Sequence, residues 1–309
     1  MITKQATHTH EEWKALRSKY IGGSDAAAVV GMNAYVSPMA LWAEKTGKLP
    51  GFDGNLATEV GTYMEEFVAR KFTEVTGKKV RKCNLSWFNS DYPWAIANID
   101  REIVGEDAGL EIKTTSELNT KRFKGGEFPE NYYCQCMHYL AVTGKQTWYL
   151  AVLIGNREFK WFAIDRDEAE IHALMEAEKD FWEKVKSNTP PAADGSSSTA
   201  DTLSALYPNS NYEGIGIGIF ERELDKYFAM KAQAKDLDEQ ISAIENRIKA
   251  HLGEYERGEG EKYKISWKTQ SRSTFDYRKF ITDNPDMDLS GYFKTSKSRP
   301  FKVTVMKGA

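Results

Sequence analysis

The sequence predicts an α/β fold, a mixed central sheet flanked by helices, with a C-terminal helical segment and a small α+β appendage. Three observations lead there. Apolar strands of period two alternate with helices of period 3.6, in the order helix, three strands, helix, two strands, helix, up to about residue 187. A stretch of linker composition follows, Thr189-Pro-Pro-Ala-Ala-Asp-Gly-Ser-Ser-Ser. The charge then changes sign. The 309 residues carry a net charge of −3, yet Lys262–Ala309 holds eleven Lys/Arg and four Asp/Glu, a net of about +7 that leaves about −10 elsewhere. The expected units are an α/β domain over residues 1–188, a linker over 189–219 and a C-terminal segment over 220–309.

Composition bounds the class. Hydrophobic residues make up 41% and charged residues 28%, as in a soluble globular protein. No run approaches the roughly 18 apolar residues of a membrane span. The first residues, Met-Ile-Thr-Lys-Gln-Ala-Thr-His, lack the apolar core of a signal peptide. Cys83, Cys134 and Cys136 make no even disulfide framework and suggest a reducing compartment, hence the cytoplasm. Cys134 and Cys136 cannot complete a zinc or iron–sulfur site by themselves, and each cysteine reads as a buried thiol.

In chain order, a short helix carries Trp13, Leu16 and Arg17 and ends before Gly22-Gly23. Ser24 reads as the N-cap of the next helix and Gly31 as its stop. Free N–H groups at such a helix start can hold an anion, with Arg17 as a bidentate clamp. An ordinary capped helix is the plainer alternative, supported by Asp25 in the first turn. Ser37-Pro38 opens a helix through Leu41 and Trp42 that stops at Gly47. Thr58–Thr76 is a clearer helix ended by Gly77, with Val60, Met64, Phe67, Val68, Phe72 and Val75 on one arc. Glu65 lies just beyond the edge of that arc and can reach the sheet. Glu66 lies nearly opposite its centre and meets water.

Strands follow at about Val80–Phe88 and Trp94–Ile99, then from Leu110. A loop over Lys121–Pro129 precedes a helix from about Glu130 to Val142 that carries Tyr132, Gln135, Cys136, Tyr139 and Leu140. Thr147–Ile154 and Glu158–Ile164 form a hairpin around Gly155-Asn156. Asp167–Ser187 is an amphipathic helix. Past the linker, Phe220–Leu252 is charged and helical. Its heptad seam of Tyr227, Met230, Ala234, Leu237, Ile241, Ile244 and Ile248 fits either a coiled coil or packing on the chain's own body. Strands at Tyr263–Lys268 and Phe301–Val305 are expected around a short helix over Asp276–Thr282. Tyr263, Trp267, Phe275, Tyr277, Tyr292, Phe293 and Phe301 form either a small subdomain core or stacking partners in a phosphate-tracking groove.

The chemistry gathers at Asp100-Arg-Glu-Ile-Val-Gly-Glu-Asp-Ala-Gly-Leu-Glu-Ile-Lys113. Two short strands are joined by an acidic turn at Gly105–Gly109. Side chains alternate along a strand, so Glu111 and Lys113 share one face while Leu110 and Ile112 point into a core. The return of the hairpin brings Asp100 beside Glu111. Two carboxylates and a backbone carbonyl suit a hard cation such as Mg2+. Lys113 can orient or deprotonate an attacking water. A surface ion pair is the alternative, but the apolar strands on both sides weigh against it.

Asp100 followed by Glu111-Ile-Lys113 is the PD-(D/E)xK nuclease pattern. Its company is Arg17 with Ile21-Gly-Gly-Ser24, then Gly61-Thr-Tyr-Met-Glu65, then Tyr132, Gln135 and Tyr139. Over about residues 10–190 the chain resembles the λ-exonuclease-like, YqaJ-type viral recombinase family. That resemblance implies a restriction-endonuclease-like core and an Mg2+-dependent 5′→3′ exonuclease, with Mn2+ as an alternative ion. It implies that Asp100, Glu111 and the Ile112 carbonyl bind metal and that Lys113 assists the water. Glu65 would support a second ion, and Gln135 would position the lysine or the substrate. Arg17 with Ser24 would receive a terminal 5′-phosphate. Implied partners are double-stranded DNA ends, a single-strand annealing protein and a homo-oligomer, by resemblance a ring trimer. Asn98-Ile-Asp-Arg101 departs from the Ser-Pro-Asp-Gly of many relatives. The change removes one phosphate contact and sets a bulky cation beside the metal ligands. An endonuclease on the same core and a non-catalytic DNA-binding scaffold are the competing readings.

Overall fold

The computed structural model describes residues 1–6 and 9–306. The end of the basic tail, Lys307–Ala309, lies outside the described residues. The chain divides into two units, Met1–Pro208 and Asn209–Ala309.

The first unit begins with strand β1 (Ile2–Ala6), helix α1 (His10–Arg17), strand β2 (Ile21–Gly22) and helices α2 (Gly23–Val29), α3 (Pro38–Lys45) and α4 (Leu56–Thr76). Strands β3 (Val80–Lys82), β4 (Leu85–Asn89), β5 (Ala95–Asn98), β6 (Arg101–Ile103) and β7 (Ala108–Thr115) follow. Helix α5 (Glu130–Thr143), strands β8 (Thr147–Ile154) and β9 (Glu158–Asp165), and helices α6 (Glu168–Lys186) and α7 (Ser197–Leu206) complete it. One sheet has the order β3-β6-β7-β8-β9, the other β1-β4-β5-β2. The first is mixed. Strands β7 and β8 run parallel and α5 crosses between them, while the remaining pairs are antiparallel.

The apolar alternation of the central strands decides which helix covers which face. Trp148, Leu150 and Val152 pack with Cys136, Met137 and Leu140 of α5. Tyr149 and Ala151 pack with Val68, Ala69 and Phe72 of α4, joined by Leu110 and Ile112. A third cluster ties α2 and α3 to α6 through Ala28, Leu41, Trp42 and Phe181. Of the expected apolar arc of α4, Val60, Phe67 and Val75 are exposed, and Val68 and Phe72, with Ala69, join the core. The helix starts at Leu56 rather than Thr58, where the Asn55 side chain accepts from the Thr58 N–H at 3.1 Å.

The strand expected over Val80–Phe88 is broken, and so is its partner. Lys82 faces Arg101 and Ser86 faces Asn98. Three residues, Cys83 to Leu85, thus stand opposite two, Ile99 and Asp100. The extra residue makes a bulge that bends both strands and passes them from one sheet to the other. Asp100 occupies that corner.

Composition places a linker where α7 forms. Ser196 caps that helix by accepting from the Thr199 N–H at 3.1 Å. Ser198 accepts from the Ser37 N–H at 2.9 Å, Thr199 and Thr202 are buried, and Leu206 joins the α3 cluster. Small polar residues suit a loop or a short capped helix equally, and these docking contacts decide it.

In the second unit, helix α8 (Glu221–Leu252) precedes a hairpin of β10 (Arg257–Glu259) and β11 (Lys264–Ser266), then helix α9 (Tyr277–Asp283). Met230, Leu237, Ile241 and Ile244 of the heptad seam are each at least half exposed. Phe301–Val305 forms no strand, since no strand edge among the described residues pairs with it. The tail aromatics do not form a core: Tyr263, Trp267, Phe275, Tyr277, Tyr292, Phe293 and Phe301 are all exposed, and Phe280 is half-buried.

One buried ion pair locks α5 to α6 behind the sheet. His138 Nδ1 lies 2.7 Å from Glu178 Oε1, His138 Nε2 lies 3.0 Å from the Ile96 carbonyl, and both side chains are fully buried. With Glu178 ionised, both partners accept hydrogen bonds and both ring nitrogens donate, as in an imidazolium. Burial alone would lower the His138 pKa. The charge and hydrogen bond of Glu178, with the Ile96 carbonyl, outweigh burial and raise it. A raised pKa contributes stability that is complete below about pH 6.5, the unfolded value, and fades as pH rises through the folded value. Urea denaturation should show this decline towards alkaline pH in the wild type and its absence in His138→Gln. Glu178→Ala should cost about 3–5 kcal/mol near neutral pH, as expected for a buried charge left alone.

Candidate active site

Asp100 and Glu111 meet because the bulge and the β6–β7 register demand it. Arg101 faces Leu110, so the preceding residue falls opposite Glu111. The Asp100 carboxylate is fixed by the Ile112 N–H, which donates to Oδ2 at 2.8 Å. Glu111 is 2% exposed on the α5 face of β7. Its Oε1 accepts from Gln135 Nε2 at 2.8 Å and pairs with Lys113 Nζ at 2.6 Å. Its Oε2 is buried and has no hydrogen-bond partner among the described residues. A buried carboxylate oxygen without a donor is an acceptor left to be satisfied by another group. Leu110 and Ile112 point the other way, into the α4 cluster, as strand alternation requires.

The electrostatics agree. Burial raises the Asp100 pKa well above the usual carboxylate range. The charges of Glu111 and Glu65 add to that, against the pull of Lys113 and the Ile112 N–H. Two such carboxyls share a site comfortably only with a proton or a cation between them. Burial would lower the Lys113 pKa, but Glu111 and Asp100 prevail and hold it above the ordinary lysine value. Lys113 is thereby held as the cationic partner of Glu111.

Arg17 and Ser24 lie on the same cavity of about 330 Å3 as Glu65, Asp100, Glu111, Lys113 and Gln135. Arg17 Nη2 donates to Ser24 Oγ, and lies 3.3 Å from Asp25 Oδ1. The buried Asp25 accepts from the Gly22 N–H at 3.0 Å and pairs with Lys45 Nζ at 2.7 Å. Burial opposes its charge, yet Lys45 and Arg17 hold its carboxyl well below the usual range. The helix start is thus capped, as the plainer alternative expects, and Arg17 is tied to it through Asp25 and Ser24. Gly22, rather than Ser24, is the N-cap; Asp25 serves the helix start, and Ser24 is left for Arg17.

Glu65 reaches inward from α4, but its carboxylate is taken by Arg101 Nη1. Arg101 also holds the exposed Glu66 at 3.1 Å, so Glu66 does not meet water alone. Tyr139, part of the sequence motif but given no role there, accepts from Gln135 at 2.9 Å and stands against α2; Lys82 and Asn98 come to the cavity from the broken strands. The spacing of Gln135 and Tyr139, one helical turn, is the available signal for Tyr139. Nothing local signals Lys82, which the bulge brings to the cavity.

The family described as YqaJ-like viral recombinase domain matches residues 12–146. The chain is 36% identical over 308 residues to the uncharacterized protein YqaJ of Bacillus subtilis (strain 168), covering 98% of this chain and 95% of that one. Among solved structures, the fold is similar to that of an alkaline exonuclease from Laribacter hongkongensis. The TM-score is 0.50 and the identity 21%, over 58% of this chain and 94% of that chain.

Two outcomes test this geometry. In chelator, Asp100→Asn should melt at a higher temperature than the wild type near pH 7–8, because it removes a carboxylate charge that burial and its neighbours disfavour. Gly23→Ala should lower stability by about 1–3 kcal/mol, since its Cβ would lie 2.5 Å from the Tyr139 ring. Thermal melts of the two variants check both.

Proposed function

The chain belongs to the YqaJ-like viral recombinase family, and we propose that it is a metal-dependent deoxyribonuclease that digests double-stranded DNA from its ends, 5′→3′, by phosphodiester hydrolysis. The observation that carries this reading is that the Arg17–Ser24 pair and the Asp100–Glu111–Lys113 set line one cavity. An end-dependent nuclease needs both on the same small space: one wall to hold a terminal phosphate and another to hydrolyse the strand.

The donor set fits a hard divalent cation, Mg2+ or Mn2+: the Asp100 carboxylate, the unpartnered Glu111 Oε2 and, by the family pattern, the Ile112 carbonyl. When bound, such an ion supplies charge neutralisation at the phosphate and acidity to water. The chain's own groups do the rest. Gln135 and Lys113 fix the other oxygen of Glu111. The Lys113 ammonium also stands ready to orient the attacking water. Arg17 holds the 5′-phosphate in a geometry set by Asp25, which Lys45 in turn fixes. Digestion of one strand leaves the other single-stranded, so a single-strand annealing protein is the partner this activity implies. A ring of copies around the duplex, a trimer by family resemblance, would retain the substrate.

The exposed aromatics and cations of the second unit supply a further DNA contact in this reading. Because α7 packs on the first unit, a truncation that isolates the nuclease should end at Pro208 rather than near Thr189.

End-labelled linear duplex in Mg2+ should be digested and covalently closed circles left intact; cutting of circles would identify an endonuclease, and cleavage of neither a binding scaffold. Asp100→Ala and Lys113→Ala should each lower cleavage by at least about 1,000-fold, the scale of a lost charge-stabilising group. A 5′-phosphorylated end should be favoured over a 5′-hydroxyl end. Arg17→Ala should erase about 10- to 100-fold of that preference, one charge-assisted hydrogen bond's worth. Removal of residues 209–309 should weaken duplex binding and flatten log K against log salt by about one unit per lost phosphate contact. An unchanged slope would rule out the tail as a DNA contact.

A further inference from the structure

Arg101 changes what the carboxylate cluster can bind. It follows Asp100 directly on β6 and its side chain is 3% exposed. One guanidinium nitrogen donates to Glu65 and, at 2.9 Å, to the Asp100 carbonyl. The other lies 3.1 Å from Glu66 Oε2. Glu65 lines the same cavity as Asp100 and Glu111, so by position it is the third carboxylate of the site.

Its charge is already spent. A guanidinium does not lose its proton in a protein and must keep a counter-charge when buried. Of its two carboxylates, Glu66 is 72% exposed and largely hydrated, which leaves Glu65 as the partner that compensates the buried cation. Drawing Glu65 onto a metal would strip Arg101 of that compensation and set a second dication beside a fixed positive charge. No group of three or more His, Cys, Asp or Glu residues arranged to hold a metal occurs among the described residues. The open oxygen lies elsewhere, on Glu111.

We propose that the centre is built for one tight divalent ion, on Asp100 and Glu111, and that Arg101 is the positioning residue that keeps Glu65 from ligating a second. This inference rests on the metal-centre reading above and replaces the second ion implied by the family resemblance with a permanent side-chain cation. The guanidinium would then provide, without dissociating, the positive charge at that edge of the cavity.

The test is calorimetric titration of the full-length, chelator-stripped protein with Mn2+, whose readout is stoichiometry rather than turnover. The wild type should take up one tight Mn2+ per chain, lost in Asp100→Asn. Glu65→Gln should leave the stoichiometry at one and the Kd within about 2-fold. Arg101→Gly should gain a second tight Mn2+, and the double variant Arg101→Gly/Glu65→Gln should return to one. Two tight ions in the wild type, one of them lost in Glu65→Gln, would overturn the inference and leave the metal centre standing. So would an Arg101→Gly protein that stays at one. If Arg101→Gly does not fold, the wild type and Glu65→Gln titrations decide the matter. A wild type that binds no ion, or binds one indifferent to Asp100→Asn, sinks the metal-centre reading and this inference with it.

Discussion

The site depends on one unfavourable contact, two carboxylates placed side by side at the edge of a core. Glu111 sits on a strand whose alternate residues are buried in the α4 cluster, so it cannot turn outward without taking Leu110 and Ile112 with it. Asp100 is held opposite by the bulge and by the Ile112 N–H. Apolar packing on both faces of the sheet thus keeps like charges together. The orphaned Glu111 Oε2 and the raised Asp100 pKa are the two signs of that constraint. Stability at this corner is lower than it need be, and the cation of the proposed reading would relieve it.

Around that corner the protein distributes fixed charges that leave little to chance. Lys113 and Gln135 occupy one oxygen of Glu111, so the other keeps a defined direction. Asp25, pulled on by Lys45 and by the Gly22 N–H, anchors Arg17 at the start of α2. Arg101 fastens Glu65 and Glu66 of α4 to the same bend that carries Asp100. Arg17 and Glu65 face the cavity and are held by Asp25 and Arg101, which do not line it, while Lys113 and Gln135 hold Glu111 from within it.

The core behind the site works in the same direction. The His138–Glu178 pair joins α5 to α6 and, through the Ile96 carbonyl, to the strand that leads into Asp100. Burial has also silenced chemistry here: it pushes the Cys134 thiol up to about 11 and Cys136 higher than the ordinary thiol. Neither is a reactive thiolate near neutral pH. Cys83, half-buried beside the bulge, departs from the expectation that all three would be buried.

Local patterns in the sequence determined the α/β class, the principal helices, the faces of β7 and the pairing of Asp100 with Glu111. Those depend on strand alternation, turn glycines and helix periodicity, which act over a few residues. The helix at Ser197–Leu206 was hidden because Ser, Thr and Ala favour no state strongly until Ser37 and the α3 cluster dock against them. The fate of the tail aromatics, exposed rather than packed, likewise turned on whether a second surface exists to cover them. The role of Arg101 was the deepest of these. Its identity and its place beside Asp100 are written in the chain, and so is the charge of Glu65. Only the tertiary structure decides that the two meet, because a carboxylate on α4 and a guanidinium on β6 are brought together by the packing of a helix on a sheet, 36 residues apart in sequence.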